Sequence, residues 1–121
     1  MIFDAPITPL GESQARQARA EVSQLGLENV IVSPFTRTLQ TAHLIFGKKP
    51  FQVNAMVREQ LCNSCDVGSP PHELARIYPH LDFDHLDDCW WHDGEKDHRG
   101  ISVEPHETLQ ERANGFAEYL K

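Results

Sequence analysis

The chain has 121 residues, 40% of them hydrophobic and 24% charged, with a formal net charge of −7. That length allows one domain and argues against two, and the apolar share is that of a folded chain rather than a disordered one. Excess acid disfavours nucleic acid or an anionic membrane as the main partner, no apolar run approaches the ~20 residues of a membrane helix, and an odd three cysteines fit a reducing cytoplasm better than a disulfide-stapled secreted fold.

Most of the punctuation along the chain consists of helix starts. Thr8-Pro9 sets a capping hydroxyl before a proline at the first helical position. The Ala, Gln, Arg and Glu that follow predict a helix from about Pro9 to Leu25, with Ala18, Val22 and Leu25 on one face and Gly26 as its stop. Asn29 to Val32 is a short β-branched run that reads as a buried, parallel strand. Ser33 is expected to cap a second helix with Pro34 at its first position, running to about Phe46 and closed by Gly47. Phe51-Gln52-Val53 is a weaker second strand.

Cys62 to Pro71 reads as loop, with Asp66-Val67-Gly68 a turn close to Glu59. Ser69-Pro70 predicts a short helix over Glu73 to Tyr78, closed by Pro79. His80 to Gly100 is polar and irregular around Trp90-Trp91, which read as lid or core aromatics. Asp82, Asp84, Asp87 and Asp88 read as a solvated acidic loop, and His72, His80, His85 and His92 as surface residues. A last helix starts near Pro105, with Leu109, Ala113, Phe116 and Leu120 forming an amphipathic stripe. Helices alternating with strands imply an α/β sandwich. Two strands leave outer edges unpaired, so the sheet is expected to be incomplete.

The segment from Val30 to Ala42 carries the chemistry. A strand there feeds straight into a helix N-terminus, the edge where open α/β sheets bind ligands. Free N–H groups at such a terminus suit a phosphate, and Arg37, one turn in, offers a planar cation that grips two phosphoryl oxygens. Ser33 and Arg37 are therefore the candidate phosphate-binding residues.

Ser33-Pro34-Phe35-Thr36-Arg37-Thr38-Leu39-Gln40-Thr41-Ala42 resembles the SPxxRTxQTA segment of the histidine phosphatase superfamily, the phosphoglycerate mutase-like proteins. Asp4 to Gly11 with Gln14-Ala15 resembles that family's D-x-PLTxxGxxQA segment, and Val57-Arg58-Glu59 its LxE segment. The three stand in family order. The resemblance implies a three-layer α/β/α sandwich and phosphomonoester hydrolysis or phosphoryl transfer through a phosphohistidine. It implies a phosphorylated small-molecule substrate and neither metal nor organic cofactor. Arg37 matches the family's phosphate-binding arginine and Glu59 its proton donor, so both are candidate catalytic residues. Residues 60–104 correspond to the cap or insertion region of one partial domain spanning 1–121.

None of the seven histidines lies in an Arg-His-Gly or Ser-His-Gly context. The chain thus reads as a family fragment truncated at both ends, without either catalytic histidine, and is expected to be inactive alone. Two other readings compete. The chain could be a non-catalytic phosphate-binding module, oligomerising through exposed strand edges. It could also be a small zinc-stabilised domain, since Cys62, Cys65, Cys89 and His92 form a CxxC…CxxH pattern.

Overall fold

A computed structural model describes residues 2–47 and 49–121. Helix α1 (Pro9–Ser23) begins where the sequence places it, with Thr8 Oγ1 accepting from the Gly11 amide at 3.0 Å. It ends two residues before Leu25, and Gly26 adopts a positive φ of 62°. Its inner face is centred on buried Ala15, whereas Leu25 is exposed. Twelve residues separate α1 from α2, and β1 (Ile31–Val32) is the strand between them.

Helix α2 (Thr36–Phe46) is the inner helix, burying Leu39 and Ala42. Gly47 ends it with φ 69°, a conformation that favours glycine. Strand β2 (Gln52–Val53) pairs with β1 in parallel, Ile31 opposite Gln52 and Val32 opposite Val53. Backbone bonds from the Gln52 amide to Val30 and from the Asn54 amide to Val32 extend the ladder beyond the paired residues. The result is a two-stranded parallel sheet with α2 as its crossover helix. A turn of 3₁₀-helix at Ala55–Val57 and another at Ser64–Asp66 lead into α3 (Pro71–Ile77), and α4 (His106–Tyr119) closes the chain.

The core joins the sheet to the irregular half. Val32, Phe35, Leu39, Phe51 and Val53 cluster with Leu74, Leu81, Phe83 and Trp90, all buried. Trp90 is a core residue, its ring edge-to-face on Phe35 at 4.8 Å and its indole N–H donating to the Ser69 carbonyl at 2.8 Å. Gly68 lets it sit there, because a Cβ at that position would stand 2.3 Å from the indole.

Three expectations need correction. Ser33 does not cap α2, and Pro34 precedes the helix instead of opening it. Phe35 is the N-cap residue and makes no side-chain cap bond. The cap comes from elsewhere, since Asp4 Oδ1 accepts from the Thr36 amide at 2.8 Å and Asp4 Oδ2 from the Thr36 hydroxyl at 2.7 Å. Second, α3 is not capped by Ser69, whose hydroxyl donates to Asp4 Oδ2 at 2.6 Å. Third, the stripe on α4 is not buried: none of that helix's residues is, and Leu120 is 59% exposed. An amphipathic face needs an opposing layer, and among the described residues α4 packs mainly on the turn at 55–57.

Candidate functional site

The site begins where β1 ends. The chain turns at Ser33-Pro34-Phe35, all buried, and α2 then carries Arg37 away from the strand end. The Ser33 hydroxyl is bonded to Thr38 Oγ1 at 2.8 Å, which locks the turn to the first turn of the helix. The Arg37 guanidinium lies over the Phe35 ring, 4.5 Å from its centroid. One of its nitrogens donates to the Cys65 carbonyl at 2.8 Å and another to Asp66 Oδ1 at 3.1 Å. A guanidinium has five N–H donors, so most of its capacity stays open. The Arg37 side chain, 28% exposed, also lines a cleft of about 550 Å³ between α1 and α2, with Ile7, Gln14 and Thr41.

Asp66, read from the sequence as part of a turn close to Glu59, is in fact the partner of Arg37. Its Oδ2 accepts from the backbone amides of Cys62 and Asn63, both at 3.1 Å, while Oδ1 takes Arg37. The buried carboxylate therefore ties the 62–66 turn to α2. Asp4 ties the N-terminal segment to the same region: it caps α2, accepts from Ser69, and donates its amide to the Val67 carbonyl. Its φ of 44° is one that aspartate tolerates better than most residues. The N-terminal dipole of α2 thus already faces a carboxylate.

Glu59 is exposed, and its Oε1 accepts from the adjacent Gln60 amide at 2.9 Å. No hydrogen bond or ion pair joins it to Arg37 among the described residues. The neighbouring Arg58 points into the protein instead. It belongs to a cluster around Glu104, whose side chain is fully buried. Arg112 from α4 grips Glu104 with two nitrogens, at 2.6 and 3.2 Å, and also donates to the carbonyls of Met56 and Arg58. Arg58 stands 3.5 Å from Glu104 Oε2 and donates to the Ala55 carbonyl at 3.0 Å. Burial, reinforced by Arg112, pushes the Arg58 guanidinium below its ordinary value. Nothing in the spacing of residues 58, 104 and 112 reveals this cluster, because its members meet only through the fold.

Cys62, Cys65, Cys89 and His92 are not brought together. The Cys65 thiol lies 3.8 Å from Asp66 Oδ1 and the Cys89 thiol 3.6 Å from the Trp91 carbonyl. Among the described residues no three His, Cys, Asp or Glu side chains are grouped to hold a metal ion, so the zinc-stabilised reading loses its site. His43 and His80, both away from Arg37's partners, face each other with Nε2 atoms 2.8 Å apart. No helix among the described residues is long and apolar enough to cross a membrane.

Comparison with known proteins bears on the same segments. The family described as histidine phosphatase superfamily (branch 1) matches residues 3–121. A curated relative, phosphoglycerate mutase-like protein 2 of Arabidopsis thaliana, is 42% identical over 55 residues, covering 42% of this chain. The matched stretch spans only 16% of that relative's length. No solved structure matches.

Proposed function

The chain belongs to the histidine phosphatase superfamily, branch 1, and from that membership we propose that it forms the phosphate-gripping part of a phosphomonoester hydrolase or phosphoryl-transfer domain. In this reading the two observed strands are part of a three-layer α/β/α sandwich, and residues 60–104 form its cap region. Arg37 binds the phosphoryl oxygens and Ser33 shapes the cradle beneath it, its hydroxyl held by Thr38. Glu59 supplies the proton to the departing alkoxide, and its exposed position beyond β2 leaves it free to meet a substrate. The substrate is a phosphorylated small molecule. No metal or organic cofactor enters this reading.

The observation that carries it is the anchoring of Arg37. A cation stacked on Phe35, fixed at one edge by Cys65 and Asp66 and open at the other to a cleft, is pre-oriented for a tetrahedral anion. Asp66 and Asp4 are the positioning residues. Asp66 holds the guanidinium, and Asp4 holds the helix that carries it.

The phosphohistidine step needs a nucleophile in an Arg-His-Gly context, and the 121 residues contain none. The chain by itself is therefore expected to bind inorganic phosphate without turning over p-nitrophenyl phosphate. Phosphorus NMR titration should show that binding and its marked weakening in Arg37→Ala. Undiminished binding by the variant sinks the assignment of Arg37. Hydrolysis well above background by the purified chain, abolished in the same variant, refutes the inactivity.

A further inference from the structure

Arg58 is the starting point. Within the Glu104 cluster, Arg112 makes a two-pronged bond to the carboxylate and spends its other donors on two backbone carbonyls. That bidentate pair neutralises Glu104 on its own. Arg58 contributes only one bond to a carbonyl and a looser approach of 3.5 Å to the same carboxylate. The cluster therefore holds two cations against one anion, and the surplus charge resides on the less committed guanidinium.

That guanidinium lines a cleft of about 370 Å³ between the segment that follows β2 and residues 85–91, together with Asn54, His85, Asp87, Cys89 and Trp91. Asn54 fills its Oδ1 with the Met56 amide at 2.8 Å, which leaves its side-chain NH₂ without a protein acceptor among the described residues. Trp91 is half-buried and meets Trp90 edge-on, 5.4 Å between centroids, so it forms an apolar wall. Burial and Asp93 push the Cys89 thiol up, so it is neutral at neutral pH and adds no negative charge. His85 is engaged elsewhere, its Nε2 2.7 Å from the Val53 carbonyl and its Nδ1 3.9 Å from Asp82. Asp87 is exposed, where water and salt screen it.

We propose that this cleft binds a small organic anion with a flat apolar body, the anionic head taken by Arg58 and the Asn54 amide and the body laid against Trp91. The site is separate from the Arg37 cradle and does not depend on it.

Phenyl phosphate is the probe. Cys89, on the cleft wall, reports occupancy through its rate of alkylation by iodoacetamide, followed by peptide mass spectrometry. Saturating phenyl phosphate should slow Cys89 severalfold while leaving Cys62 and Cys65 unchanged. Calorimetry in the Arg37→Ala chain, which silences the other cradle, should still show phenyl phosphate binding, and adding Arg58→Met should abolish it. The Arg58→Met chain keeps the neutral Arg112–Glu104 pair, and circular dichroism checks that it folds. Trp91→Ala, which leaves the charge cluster alone, should bind phenyl phosphate roughly tenfold more weakly, the worth of one lost apolar contact face. Inorganic phosphate should bind more weakly than phenyl phosphate by a similar factor. Unprotected Cys89, or affinity undiminished when Arg58→Met or Trp91→Ala is added to Arg37→Ala, overturns the proposal. Loss of binding in Arg37→Ala assigns the anion to the other cradle and overturns it too.

Discussion

Buried carboxylates decide how this chain is held together at the level of single residues. Glu104 is the deepest, closed off from water and matched by Arg112 and Arg58. Its removal leaves two guanidinium groups without an anion, so Glu104→Gln should cost about 3–5 kcal/mol. Urea unfolding of the variant checks this, and a change under 1 kcal/mol would show that the two guanidinium groups are solvated well enough without the carboxylate. Asp97 behaves differently, because it lies at the surface. Its carboxylate accepts from the Arg99 guanidinium and from the amides of Ile101 and Arg99, which pull it from 3.8 to about 2. A depressed carboxylate supports the fold above its ordinary range and loses that support as pH falls between those two values. Arg99 also reaches the Asn63 side chain and the Cys62 carbonyl. Carbon NMR should therefore give an Asp97 midpoint near 2, with the 62–66 turn loosening over the same interval. A midpoint at the ordinary aspartate value contradicts that linkage.

For whole elements, local rules and long-range bonds compete. At α1 the local rule prevails, with Thr8 capping and Pro9 opening the helix as their spacing demands. At α2 the local candidate, Ser33, turns inward to Thr38, and Asp4 supplies the cap from 32 positions away. Asp4 also bonds Ser69, so one carboxylate fastens the N-terminal segment, α2 and the approach to α3. Asp4→Ala should destabilise the chain by about 1–3 kcal/mol, because part-buried hydroxyl and amide donors lose their acceptor. Thermal unfolding reads the loss, and Asp4→Asn should recover part of it by restoring one acceptor oxygen. If the two variants are equally unstable, charge rather than acceptor count is what α2 requires.

For the molecule as a whole, the core is continuous but lopsided. Sheet residues, α3's Leu74 and the irregular 81–90 stretch share one cluster, while α4 hangs on Arg112 and the Gln52–Tyr119 contact with its apolar face open. The two-stranded sheet likewise has free outer edges among the described residues. Exposed apolar stripes and unpaired strands seek cover, so the 121-residue chain should self-associate with rising concentration in sedimentation experiments. A sharp monomer at the highest attainable concentration contradicts this. Helix and strand positions and the parallel pairing were legible from order and spacing, and the family segments around Ser33–Ala42 from their resemblance to histidine phosphatase motifs. They rest on short-range periodicity, turn chemistry and motif composition, which a linear string displays directly. The capping of α2 by Asp4, the clasp of Asp66 on Arg37 and the burial of Glu104 between Arg58 and Arg112 were not. Each joins residues 8 to 46 positions apart, and which donor meets which carboxylate is settled only when the core closes and excludes water around them.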